Sequence, residues 1–219
     1  MPKILTDDEI LSFRNRLCDL ALEAFAKHGV EGITLRGLAT AVGCSRTTPY
    51  RYFKNKADIL AALRQREFER MSQALEAVEQ SKSSPDKQLG ILASTYFQFA
   101  LTYPDAYRVM YEVDQQDTHH YPELLAQIQR SGAPIRNIVS AAVKSGSMHG
   151  DPVNIAFMLW AGLHGLISLH LSHMLGDERD IDELAQVTMR SLTRAVASKP
   201  TATPAARRVR PSTKEKYNE

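Results

Sequence analysis

The run Leu35-Arg36-Gly37-Leu38-Ala39-Thr40-Ala41-Val42-Gly43-Cys44-Ser45 constrains the fold of this chain more than any other stretch. Thr34 stands in front of it as a helix cap, and Leu38, Ala39 and Val42 recur at helical spacing. Gly43 supplies the left-handed residue that ends a helix, and Ser45 is placed to cap the next one. Small Ala39 sits where two helices cross closely, so the spacing is that of a helix-turn-helix. A short third helix is expected from Ser45 to about Tyr52. Pro49 falls in its first turn, where it should stiffen the helix rather than abolish it.

The periodicity elsewhere is helical, with no sustained alternation of the kind a strand needs. Thr6-Asp7-Asp8-Glu9 reads as a capping box before a first helix that Gly29 stops. Asn55 caps a long fourth helix carrying Leu60, Leu63, Phe68, Met71, Leu75 and Val78. Pro85, Pro104, Pro122 and Asp151-Pro152 open further helices, Gly132 and Pro134 should kink or divide one, and Gly176 should end the eighth. The fold class expected is all-α, with about nine helices. Residues 1–56 should form an N-terminal three-helix domain and 57–198 a second helical domain. Residues 199–219, rich in Pro, Thr, Ala, Arg and Lys, should be a disordered basic tail with Arg207, Arg208, Arg210, Lys214 and Lys216.

Charge is unevenly spread over the 219 residues. Ile10 to Lys56 holds eight Lys/Arg against three Asp/Glu, whereas 57–198 holds twelve against seventeen. A basic N-terminal part points to nucleic acid, and an acidic middle to some other task. The two cysteines, Cys18 and Cys44, suit a reducing compartment, with Cys18 expected on a buried stripe. No secretory signal is read at the start, because Asp7, Asp8 and Glu9 come too early. The apolar stretch Val153 to Leu175 is long enough for a membrane helix, but Asn154, His164, His170 and His173 interrupt it. The reading is therefore a cytoplasmic, bacterial, nucleoid-associated protein without a membrane partner. No glycine-rich phosphate loop, nucleophile elbow or Ser/His/Asp set argues for an enzyme. His119, His120, His170 and His173 lack convergent partners at zinc-ligand spacing, so neither metal nor cofactor is expected.

The second helix of the reversal should expose Arg46, Thr47, Thr48, Tyr50 and Arg51, donors and short polar groups suited to base edges. Tyr52, Lys54 and Lys56 lie just beyond, placed for phosphates, with Lys56 beside the free N–H groups that open the fourth helix. The stretch from Gly29 to Leu60, with Ile33-Thr34, Leu38-Ala39, Gly43-Cys44-Ser45 and Tyr50-Arg51-Tyr52-Phe53-Lys54-Asn55-Lys56, resembles the DNA-binding domain of the tetracycline-repressor (TetR-like) family. That resemblance implies that Thr34 and Lys56 clamp the DNA backbone while Arg46, Thr47, Thr48 and Tyr50 enter the major groove. Arg36, Ser45, Arg51, Tyr52 and Lys54 complete the expected contact set. Pro49 departs from the family's pattern, where an aliphatic residue is commoner.

The C-terminal part resembles the family's regulatory domain more loosely. Trp160-Ala161-Gly162-Leu163-His164-Gly165 and Tyr103-Pro104-Asp105-Ala106-Tyr107-Arg108-Val109-Met110 are similar to a Trp-His-Gly (WHG) subgroup. The resemblance implies a dimer that binds a double-stranded operator and answers to a small, largely apolar or aromatic effector. Leu159, Leu163, Leu166, His170, Met174, Leu184, Val187 and Leu192 should form the dimer face, as two helices from each copy pair into a bundle. Tyr96, Phe99, Tyr103, Tyr107, Met110, Met158, Trp160 and His164 should line the effector pocket, together with Phe97. Each of these is equally at home as ordinary core. The leading reading is a palindrome-binding repressor released when effector binding shifts the fourth helix like a lever. The alternative is a DNA-binding regulator, an activator or partner-controlled, with no small-molecule ligand and a collapsed centre.

Overall fold

A computed structural model of the chain describes residues 6–113, 118–176 and 180–197. Among them the chain forms nine α-helices and no strand: α1 (Asp7–His28), α2 (Leu35–Val42), α3 (Lys56–Glu79), α4 (Pro85–Thr102), α5 (Pro104–Tyr111), α6 (Pro122–Ser131), α7 (Ala133–Ser145), α8 (Pro152–Leu171) and α9 (Ile181–Val196). The local signals act as their chemistry requires. Thr6 and Glu9 close a reciprocal capping box on α1. Thr34 accepts the Gly37 N–H at 3.0 Å, and Asn55 accepts the Asp58 N–H at 2.9 Å. At the end of α2, Gly43 takes φ 75° while the Cys44 N–H reaches back to the Ala39 carbonyl, a Schellman closure that needs a left-handed residue.

Three expectations are corrected. The third helix is not an α-helix: only a 3-10 turn, Pro49–Arg51, forms there. Proline has no N–H to give the Ser45 carbonyl, and its ring crowds that carbonyl, so the chain closes three-residue bonds from Thr48 to Ser45 and Arg51 to Thr48 instead. Ser45 caps no backbone; its hydroxyl joins those of Thr47 and Thr48 at 3.1 and 2.8 Å. The helix opened by Pro122 does divide at Gly132, as expected, into α6 and α7. Finally, α8 stops at Leu171, short of Gly176, because His173 itself adopts the left-handed conformation (φ 57°) and Met174 bonds back to Leu169. The basic tail 199–219 lies outside the described residues.

Two apolar cores result. Leu17, Cys18, Ala21 and Phe25 of α1 pack with Ile33, Leu35, Leu38 and Phe53, and α3 and α5 add Ile59, Leu60, Leu63 and Val109. Burial pushes the Cys18 thiol up to about 11, so it stays a neutral apolar group. The second core is built by α3, α4, α7 and α8 around Phe68, Met71, Leu92, Phe97, Ile138, Leu159 and Ile167. The two cores meet within α3. Arg66 fastens that junction, donating to Asp19 at 2.7 Å and to the Asn15 carbonyl at 3.2 Å on α1, while Glu67 holds its other edge at 3.0 Å. A non-glycine residue in the left-handed region costs about 1 kcal/mol. Gly43→Ala should therefore lower stability by about that amount and His173→Gly should raise it, both read as shifts of the urea midpoint.

Candidate nucleic-acid interface and enclosed cavity

The N-terminal head separates its side chains cleanly. Pro49 and Phe53 turn into the core, and Arg14 of α1 lies 4.4 Å over the Phe53 ring while donating to the Tyr52 carbonyl at 2.6 Å. Thr34, Arg36, Ser45, Arg46, Thr47, Tyr50, Arg51 and Lys54 are exposed, Tyr50 with 56% of its surface open to solvent. An exposed tyrosine flanked by arginines and threonines, over a rigid apolar floor, is a surface with donors and no partner of its own. Thr48 is half-buried in the hydroxyl cluster with Ser45. Tyr52 is also half-buried, its ring 4.8 Å from that of Phe13. Lys56 is paired with Glu31 at 3.2 Å, an exposed contact of small worth that a phosphate can replace.

A second polar cluster joins this head to the other domain. The Asp58 carboxylate, in the first turn of α3, accepts the Lys54 N–H at 2.9 Å and the Tyr121 hydroxyl at 3.1 Å. Tyr121 immediately precedes α6. Farther along, Arg130 of α6 grips Glu76 of α3 with two bonds of 2.6 and 2.7 Å. Thus α6 is attached to α3 by a hydroxyl near the head and a bidentate ion pair near its other end.

Within the second core lies a cavity of about 370 Å³. Its walls are the helical stripes Phe68/Met71/Leu75, Leu89/Leu92/Ala93/Tyr96 and Ala156/Leu159/Trp160/Leu163, completed by Tyr111 of α5 and residues of α6, α7 and α9. Of the expected lining, Tyr96 and Trp160 are present. Tyr107 and His164 stand one layer behind: the Trp160 Nε1–H donates to the Tyr96 hydroxyl at 3.1 Å, which meets the Tyr107 hydroxyl at 2.8 Å, which meets His164 Nδ1 at 2.6 Å. Phe99, Tyr103, Met110 and Met158 do not line it, and neither does Phe97. Phe99 and Tyr103 lie beyond the wall stripe, toward the end of α4, where Arg70 of α3 sits 3.6 Å over the Tyr103 ring. Met110 is fully buried, its carbonyl accepting from Arg64 at 3.4 Å, and Phe97 and Met158 pack into the second core. Aromatic residue type marked the region; the stripe repeating Tyr96 toward the start of α4 was the better signal.

The residues expected at a dimer face divide between the inside and the outside of the protomer. Leu159 and Leu163 are buried inside the protomer, Leu166 packs on its core, and Leu192 presses on Gly162. His170 borders a second hollow with Asp105, Arg108 and His173, and Leu184 is half-buried. Met174 and Val187 are open, as are Phe157 and Leu169, which the sequence reading did not select. Helix α8 is long and apolar enough to cross a membrane by length and composition, and only 28% of its most apolar window is buried in the protomer.

Burial lowers the His164 pKa from 6.5, and the two phenols are pushed the other way. The imidazole is therefore neutral, and its Nδ1 shares one hydrogen bond with the Tyr107 hydroxyl. The unfolded chain takes up the proton first as pH falls, so the stability contributed by neutral His164 is present above about pH 6.5 and is lost below it. Thermal unfolding between neutral and mildly acid pH should show this loss, and His164→Gln should flatten it.

The sequence matches two family descriptions. Residues 17–63 match "Bacterial regulatory proteins, tetR family", and residues 89–192 match "Tetracyclin repressor-like, C-terminal domain". The HTH-type transcriptional repressor Rv1474c of Mycobacterium tuberculosis is 33% identical over 72 residues, which is 33% of this chain and 38% of that protein. Among solved structures, a protein of unknown function from Rhodococcus sp. RHA1 superposes with a TM-score of 0.75 at 28% identity, covering 84% of this chain and 95% of that one. The fatty acid degradation regulator FadR from Bacillus halodurans superposes with a TM-score of 0.69 at 16% identity, covering 87% and 97%, a likeness of fold alone. Together the two family matches take in most of the sequence, both helical domains included: the chain belongs to the TetR family of bacterial transcription regulators, whose members bind DNA and act as dimers.

Proposed function

We propose that the protein is a dimeric repressor that holds a palindromic operator through the turn from Thr34 to Lys56 and releases it when a small apolar molecule fills the cavity. The observation that carries the reading is the exposed set Arg46, Thr47, Tyr50, Arg51 and Lys54 on an otherwise well-packed head. These groups have the reach and donor chemistry for base edges and phosphates, with Thr34, Arg36, Ser45, Thr48, Tyr52 and Lys56 around them. DNA as target places the protein in the cytoplasm, and nothing in the family points to enzyme chemistry. The cavity favours ligand control over the alternative of a collapsed centre.

Dimerisation follows from the physics of α8. Phe157, Leu169, Met174 and Val187 leave an apolar face open that a second copy, related by a twofold axis, covers in a four-helix bundle of α8 and α9. The same symmetry sets two heads on successive turns of one DNA face.

Release is a population shift. Ile128, Ser131 and Gly132 of the α6–α7 corner line the cavity, so a ligand there moves α6. Tyr121 and Arg130 carry that movement to Asp58 and Glu76 on α3, which sets the spacing of the two heads. Domains 1–56 and 57–198 are then a reading head and a sensor, with α3 as the shared lever. Selection from random duplex DNA, followed by gel shift, should recover a palindrome whose affinity falls steeply as salt rises. Tyr50→Ala should lose that shift while the dimer and its helix content are kept; an unchanged shift would overturn the contact assignment. Tyr121→Phe should bind the operator normally yet respond less to effector.

A further inference from the structure

The cavity is apolar along its walls and charged at one point. Among its lining side chains Arg136 alone carries a charge. It belongs to the first turn of α7, and its guanidinium lies over Gly132, with Nη1 2.5 Å from where a Cβ at that position would be. Nη2 donates to the Gln129 carbonyl at 3.0 Å, which pins the group while leaving donors on its other edge. The acids nearby are already engaged: Glu76 with Arg130, and Glu79 with Asn137 at 2.8 Å. No ion pair to Arg136 occurs among the described residues.

The interior asks for the opposite chemistry. The Trp160 N–H is spent on Tyr96, the Tyr96 hydroxyl on Tyr107, and the Tyr111 hydroxyl lies against the Met71 sulfur at 3.9 Å, so the polar groups of the deep wall are turned to their neighbours. A ligand group with polar demands would be buried there unpaired, losing the hydrogen bonds it makes to water. Hydrocarbon meets no such penalty against Phe68, Met71, Leu92 and Leu159. Arg136 is exposed as well as lining, and so is Val153 (63%), which places both at the opening of the cavity.

We propose that this cavity takes an aliphatic monocarboxylate, with its chain inward and its carboxylate held by Arg136 at the opening. The proposal rests on reading the cavity as the effector site and names the class of effector. A planar guanidinium suits a carboxylate because two parallel N–H···O bonds fit both groups. Charge-assisted bonds of this kind are worth about tenfold to a hundredfold in affinity.

Trp160 is the only tryptophan in the sequence and lines the cavity, so its fluorescence reports occupancy directly. The full chain is titrated with decanoate, decan-1-ol and decylammonium, which share one tail and differ in head group. Decanoate should give a saturable Trp160 response and bind about tenfold or more tightly than the alcohol, with the ammonium weakest. Arg136→Gln should bring decanoate down to the level of decanol and leave decanol itself unchanged, and Arg136→Lys should keep part of the preference. Equal binding of acid and alcohol by the native chain, a preference surviving in Arg136→Gln, or no saturable response to any of the three would overturn the proposal. Far-UV circular dichroism establishes that the variants are folded, since Arg136 is at the surface. Operator affinity measured without ligand tests the DNA-binding reading separately. Tight, Arg136-dependent decanoate binding that left operator affinity unchanged would overturn release while keeping the site.

Discussion

Everything in this structure depends on α3 being one unbroken helix that belongs to two cores. Its 24 residues run about 36 Å. Ile59, Leu60 and Leu63 are buried in the head, and Phe68, Met71, Leu75 and Val78 in the second core. A rigid rod that is a structural member of both bodies cannot be displaced in one without consequence in the other. Arg66 ties α3 to α1 through Asp19 on the head side, and Tyr121 and Arg130 tie it to α6. Tyr121 on Asp58 and Arg130 on Glu76 are polar contacts at or near the surface, individually weak and therefore reversible.

The cavity obeys a related economy. Three helices supply apolar stripes at three- and four-residue spacing, and their polar members bond to each other instead of to the space between them. Such a wall discriminates poorly among hydrocarbons, so selectivity falls to the opening, where Arg136 lies over Gly132. The break between α6 and α7 thus does two things: it ends a helix, and it gives the guanidinium a place to lie. It is also the part of the wall directly joined to the α6 contacts with α3.

Helix α8 illustrates how little periodicity fixes which side of an apolar helix is buried. Leu159 and Leu163 have the spacing of a packing stripe, and α8 does pack on them, but inward. A helix apolar almost all round has no unique buried side in its own sequence, because every face satisfies the pattern. Phe157 and Leu169 are as apolar as Leu159; only the positions of α4, α7 and α9 decide which are left open.

The sequence by itself determined whatever depends on a few consecutive residues. The caps at Thr6, Thr34 and Asn55, the turn at Gly43, the break at Gly132 and the basic exposed reading surface are each fixed by a side chain acting on backbone within reach. Pro49 shows the limit even there, since a missing N–H and a crowded ring replaced an α-helix by a 3-10 turn. Tertiary structure alone decided which aromatics face the cavity, which face of α8 is open, and that Arg136 stands at the rim. Those outcomes depend on how distant helices are rotated about their own axes. That rotation is set by the packing of all their neighbours together, and no short stretch of sequence encodes it.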